Sequence, residues 1–164
     1  MFMFLYITVG VIFLDQVTKW LAVAFIEGGP SVPFIPWLLR FTYVENTGAA
    51  WGMFGEPDQR WIFMTLSTLA IVAVFLYMFI GKPKSRFLTV ALAFVVGGGI
   101  GNMIDRVLYG YVVDFFELTF MDFPVFNVAD SFVCVGAGML ILYLILDTIK
   151  ECKDGKKNSD TSDS

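Results

Sequence analysis

Trp61-Ile62-Phe63-Met64-Thr65-Leu66-Ser67-Thr68-Leu69-Ala70-Ile71-Val72-Ala73-Val74-Phe75-Leu76-Tyr77-Met78-Phe79-Ile80 is a run of twenty residues without a charge. About 20 apolar residues in a helix cross a hydrocarbon core roughly 30 Å thick, so this stretch reads as a transmembrane helix. Three further hydrophobic stretches flank it, at about residues 2–26, 87–104 and 128–146. The composition agrees: 57% of the 164 residues are hydrophobic and only 16% are charged. A soluble domain of this size would leave much of that apolar surface in water. The expected fold class is therefore an integral membrane protein, mainly α, with four transmembrane helices. Trp61, Tyr77, Tyr109 and Tyr143 lie near the span ends, where interfacial aromatics collect.

Residues 1–150 read as one membrane domain, followed by a polar tail at 151–164 that is expected to be disordered. Met1 to Leu14 is apolar, and Ala22-Val23-Ala24 superficially resembles a cleavage site. A secretory signal peptide wants a basic region before its apolar stretch. None is present, and Asp15 and Lys19 interrupt the run, so an uncleaved first helix is expected.

Loop charges orient the spans. The short loop 81–86 carries Lys82, Lys84 and Arg86, and the tail adds Lys150, Lys153, Lys156 and Lys157. The opposite connections, 27–60 and 105–127, hold only Arg40, Arg60 and Arg106 among many acids. The positive-inside rule then places the 81–86 loop and both termini in the cytoplasm. Since charge distribution serves topology here, the net charge of −4 says nothing of nucleic acid, and none is expected as a partner.

The connection after the first span is too long for a simple hairpin. Gly28-Gly29-Pro30 and Pro33 to Pro36 mark turns, and Leu39-Arg40-Phe41-Thr42-Tyr43-Val44 alternates like a strand. A small extracytoplasmic β-sheet, or cradle, is expected at about 28–58, packed over the helix ends with aromatics dipping into the interface.

Ionisable groups at membrane depth are expensive and point to function by default. The chain has no histidine, and Cys134 and Cys152 lack metal-site spacing, so carboxylates are the candidates for chemistry and no metal or cofactor is expected. Cys134 reads as a small buried hydrophobe. Asp114 sits within Val112-Val113-Asp114-Phe115-Phe116 and has no structural reason to be there. Asn127 and Asp130 have one: Asn is a favoured N-cap, and an acid three residues later suits a first helical turn. Two nearby carboxylates share a proton, so one can activate water while the other polarises a carbonyl. Asp130 at a helix start favours the charged form, and the apolar setting of Asp114 favours the neutral one.

Other groups carry weaker signals. Asp15 and Lys19 share a helical face and can pair, as ordinary ion pairs do or as an ordering element between helices. Asn46-Thr47-Gly48-Ala49-Ala50-Trp51-Gly52 is an ordinary turn or a close approach to a ligand. Gly97-Gly98-Gly99-Ile100-Gly101-Asn102 provides a smooth face for helix packing that would position Asn102. Asn102 and Arg106 share a face, with Asp105 as a candidate partner for Arg106.

Five ordered blocks carry a family resemblance: Asp15-Gln16-Val17-Thr18-Lys19, Asn46-Thr47-Gly48-Ala49-Ala50-Trp51, Gly101-Asn102-Met103-Ile104-Asp105-Arg106, Val112-Val113-Asp114-Phe115 and Phe126-Asn127-Val128-Ala129-Asp130. From about residue 11 to 148 the chain closely resembles the bacterial lipoprotein signal peptidases (signal peptidase II). The resemblance implies a four-helix aspartyl protease of the bacterial cytoplasmic membrane with its active site at the outer face. Such enzymes remove the signal peptide of prolipoproteins just before a cysteine carrying diacylglycerol. It further implies Asp114 and Asp130 as the catalytic pair. Asp15, Lys19, Asn46, Gly48, Asn102, Arg106 and Asn127 would line the substrate pocket. The same site would be blocked by the cyclic peptide antibiotic globomycin, and membrane lipid would surround it.

Two other classes compete. A small transporter would use the same acids as a proton relay but predicts broken helices or internal repeats, which the sequence lacks. A polytopic assembly protein would merely pair its acids with Lys19 and Arg106. A presenilin-like protease is nearer in chemistry, yet Gly110-Tyr111-Val112-Val113-Asp114 lacks the Gly-x-Gly-Asp motif.

Overall fold

Backbone N–H and C=O groups find no water inside a bilayer, so a run that crosses it closes its hydrogen bonds internally as a helix. The computed structural model describes residues 1–48, 57–81 and 83–162. Among them are α1 (Phe2–Ile26), α2 (Pro57–Leu76, continued by a π-helical turn at Tyr77–Gly81), α3 (Arg86–Leu108) and α4 (Val128–Ser162). The segments Phe2–Ile26, Met64–Gly81, Arg86–Leu108 and Val128–Lys153 are each long and apolar enough to cross a membrane. The backbone of α4 continues helically to Ser162, whereas the sequence predicts disorder from 151. No proline interrupts that stretch, and extending a nucleated helix costs little per residue.

The outer surfaces of these helices are apolar. Phe13, Trp20 and Phe25 on α1 and Ile141 and Leu144 on α4 are exposed, as side chains facing lipid would be. Cys134 is exposed too, not buried as its apolar run suggests. Lipid tails are as apolar as leucine, so hydrophobicity does not distinguish an inward from an outward helix face in a membrane.

Helix α3 is central, packed on α1 and α4 and more lightly on α2. Phe4, Met78, Leu88, Leu92, Ala93 and Val96 form the core between them, with Phe4 edge-on to Phe75. Ser85 caps α3 by accepting from Leu88 N at 3.2 Å. The glycines of α3 are what let the helices meet. A Cβ at Gly98 would collide with the Ala129 carbonyl oxygen and lie 2.8 Å from Val133 Cγ2. Gly98→Ala is therefore expected to destabilise the protein by about 1–3 kcal/mol through overpacking. Thermal unfolding in detergent checks this; an unchanged Tm would mean that α4 can retreat freely.

Three antiparallel strands lie over one end of the bundle in the order β1 (Val32–Ile35), β2 (Leu39–Asn46), β3 (Val112–Leu118). The predicted strand is thus β2, two residues longer than expected. β3 lies beyond the 28–58 stretch assigned to the cradle; residues 49–52 of the Asn46 motif and the Trp61 side chain lie outside the described residues. Gly110, at φ 83°, turns the chain from α3 into β3, a conformation glycine adopts without strain. The register pairs Asn46 with Val112 and Val44 with Asp114. Val113 and Phe115 then pack on Ala22 near the end of α1, with Phe41 and Tyr43 beside them. The sheet is bolted to the helix ends by this second cluster, and Asp114 is carried to the head of the bundle.

Candidate active site

Asp130 arrives at the site through a helix start. Asn127 Oδ1 accepts from Asp130 N at 3.0 Å, and Asp130 Oδ2 accepts from Asn127 N at 3.1 Å. The exchange is a capping box, with Asn as the cap and Asp in place of the usual Glu. The structural role foreseen for this pair is present. Asn127 does more: its Nδ2 donates to Asp114 Oδ1 at 2.6 Å, Asn102 Oδ1 at 3.0 Å and Val113 O at 3.3 Å. One fully buried amide side chain therefore touches both aspartates, one through its side chain and the other through the cap.

Asp114, 1% exposed, accepts on its second oxygen from Asn46 Nδ2 at 2.8 Å. Asn46 is itself held by Gly48 N, which donates to its Oδ1 at 3.0 Å. Asp130 Oδ1 accepts from Asn102 Nδ2 at 2.7 Å. Burial pushes the Asp114 carboxyl up to about 7; the charge of Asp130 adds to this, and the bonds from Asn46 and Asn127 and the charge of Lys19 oppose it. A carboxyl so placed passes easily between neutral and charged forms near neutral pH.

Both aspartates face a cavity of about 760 Å³ between α2, α3, α4 and β3. Asn46, Asn102 and Arg106 join them on its polar end, while Ile71, Val74, Val95, Gly99 and Val133 make the rest apolar. Arg106 donates to the Gly48 carbonyl at 2.8 Å and to the Asn102 carbonyl at 3.2 Å, tying α3 to the segment after β2. The arrangement offers two carboxylates, one of them near its titration point, on the wall of a largely apolar chamber.

The predicted pocket residues divide into two groups. Asn46, Asn102 and Arg106 line the cavity. Gly48 contributes its backbone from a buried position. Asp15, Lys19 and Asn127 are 0%, 3% and 0% exposed and stand behind the wall. Lys19 meets Asp15 at 2.9 Å, as the four-residue spacing suggests. Asp105, expected beside Arg106, directs its carboxylate to Lys19 at 2.9 Å and to Gln16 Nε2 at 2.9 Å. Gln16 and Asp105 were absent from the predicted site. The sequence pointed Asp105 toward its neighbour Arg106, and it singled out no contact for Gln16.

The family model described as Signal peptidase (SPase) II matches residues 7–146. The chain is 44% identical over 147 residues to the lipoprotein signal peptidase of Enterococcus faecalis, covering 89% of each. It is 40% identical to that of Bacillus subtilis, covering 85% of this chain and 91% of the relative. Among solved structures, a bacterial membrane enzyme obtained by the in meso method at 2.3 Å superposes with a TM-score of 0.81 at 35% identity, covering 90% of both chains. A second, at 1.9 Å, gives 0.79 at 34% identity, covering 88% of this chain and 93% of that one. The matched region reaches into all four helices and contains every residue of the polar cluster, and the chain belongs to the signal peptidase II family of membrane peptidases.

Proposed function

We propose that this peptidase is an aspartic endopeptidase that removes the signal peptide of diacylglyceryl-modified prolipoproteins, cutting on the N-terminal side of the lipidated cysteine. The observation that carries the reading is the shared position of Asp114 and Asp130 at the polar end of one apolar cavity, joined through Asn127. In this reading the end with the aspartates lies at the outer face of the bacterial cytoplasmic membrane with both termini inside, which the basic 81–86 loop and tail support. A signal peptide and the acyl chains of the cysteine that follows it would then reach the cavity without leaving the bilayer.

Asp130, as carboxylate, takes a proton from a water molecule as that oxygen attacks the scissile carbonyl carbon. Asp114, protonated, donates to the carbonyl oxygen as its charge develops. Collapse of the tetrahedral intermediate breaks the C–N bond: the proton gained by Asp130 passes to the leaving amine, and one hydroxyl proton of the intermediate returns to Asp114 as the carbonyl re-forms. Asn102, Asn127 and Asn46 hold the two carboxyls at fixed angles through this exchange.

The test uses purified protein in detergent with a synthetic diacylated prolipoprotein peptide. Mass spectrometry should find a product beginning at the lipidated cysteine, chelator should leave the rate unchanged, and globomycin should inhibit. Turnover should decline as pH rises through about 7, where Asp114 loses its proton. Chelator-sensitive cleavage, or a rate that keeps rising to pH 9, would overturn the dyad mechanism.

A further inference from the structure

Behind the cavity wall lies a buried charged cluster that touches no surface of the chamber. Lys19 Nζ has three protons to donate and three acceptors: Asp15 Oδ2 at 2.9 Å, Asp105 Oδ2 at 2.9 Å and Asn102 Oδ1 at 2.8 Å. The two carboxylates use further lone pairs in parallel ways. Asp105 Oδ2 accepts from Val113 N at 3.2 Å, and Val113 immediately precedes Asp114. Asp15 Oδ1 accepts from Ala129 N at 3.0 Å, and Ala129 immediately precedes Asp130. Gln16 Nε2 braces both carboxylates, at 2.9 Å to Asp105 Oδ1 and 3.2 Å to Asp15 Oδ2.

We infer that Asp15, Lys19 and Asp105 form a positioning unit that sets the relative placement of Asp114 and Asp130. This rests on the reading of those two aspartates as the catalytic pair. Each arm grips the backbone one residue before a catalytic aspartate, and the ammonium joins the arms. The same ammonium, together with Asn127 Nδ2 at 3.0 Å, fixes the orientation of the Asn102 amide. A donor-only group opposite Asn102 Oδ1 turns Nδ2 toward Asp130 Oδ1, where it donates at 2.7 Å. With the amide reversed, an oxygen would face the Asp130 carboxylate and repel it. None of the three charged groups meets substrate in this arrangement; they act through Val113, Ala129 and Asn102.

Asp105→Leu removes the arm to Val113 and leaves Lys19 paired with Asp15, so no lone charge is buried. The expected result is a folded enzyme with KM within about twofold of wild type and kcat reduced about 10²-fold, the penalty typical of small misplacements of catalytic groups. Asp105→Asn, which keeps one oxygen for Val113 N and Lys19, should recover kcat to within about threefold of wild type. Leu92→Ala, a core change with comparable loss of Tm, should leave kcat intact. A normal kcat in folded Asp105→Leu overturns the positioning unit, and so does a change confined to KM, which would put Asp105 on the substrate. Should Asp105→Leu not fold, Gln16→Met tests the same brace at the edge of the cluster: a drop of about threefold to tenfold in kcat at constant KM is expected, and no drop overturns the inference. Asp114→Asn assayed in parallel separates the two levels. If it is inactive while Asp105→Leu is normal, only the positioning unit falls; if it is active, the catalytic reading falls and takes the unit with it.

Discussion

Asp114→Asn is expected to give a folded protein that cleaves the diacylated peptide at least roughly 10²–10⁴-fold more slowly, the range lost with a positioned acid or base. Asp130→Asn should do the same. The fold survives because the amide has the volume of the carboxyl and, like the protonated acid, carries no charge at a site only 1% exposed. It does lose one good contact. Both oxygens of Asp114 accept from amide nitrogens, those of Asn46 and Asn127, and an Asn in its place can offer an oxygen to only one of them. Neither neighbour can simply reverse, since Asn46 Oδ1 already holds Gly48 N and Asn127 Oδ1 already caps α4.

The pH dependence of stability has a definite sign. In the folded state the Asp114 carboxyl titrates at about 7, raised from 3.8 by burial first and by Asp130 second. A carboxyl raised in this way favours folding fully below its unfolded value, and that contribution is lost as pH rises from about 4 through about 7. Asn cannot titrate, so the Tm of Asp114→Asn relative to wild type should improve between pH 5 and pH 8. Differential unfolding in detergent at the two pH values measures this. A difference that stays flat would mean that Asp114 is not held near neutrality by the fold, and cleavage by either Asn variant at a wild-type rate would sink the dyad.

Asn127→Ala should be both inactive and unstable, by about 2–4 kcal/mol. Loss of an N-cap costs about 0.5–2 kcal/mol, and leaving a buried acceptor without its donor adds about 1–3 kcal/mol. The Ala variant removes the cap on Asp130 N and the 2.6 Å bond to Asp114 Oδ1 together. Asn127→Ser separates the two, because a serine hydroxyl caps well but does not reach as far as the amide. It should recover about 1 kcal/mol of stability while turnover stays low. Equal recovery of stability and turnover would make Asn127 a helix cap with no separate part in the site.

The spans were readable because twenty uncharged residues in series have few other structures available in a bilayer. Asp114 stood out for the related reason that an acid among Val113, Phe115 and Phe116 is costly unless partnered. β3 was not readable. Val112 to Phe115 are buried on both faces, so the strand has no alternation to set it apart from any other apolar run. Cys134 was misread because apolarity in a membrane marks both the lipid side and the core.

Local chemistry along the chain, meaning long apolar runs and an acid among apolar neighbours, was enough to determine four helices and to single out Asp114 as a costly group. The partners of Asp105 were decided by packing. Gln16 lies 89 residues from it, and the two meet only because α1 lies against α3. Hydrogen bonds reach about 3 Å and depend on angle, whereas sequence spacing resolves neighbours only within one helix or strand. Which oxygen of each carboxylate meets which nitrogen was therefore set where α1, α3, α4 and β3 converge.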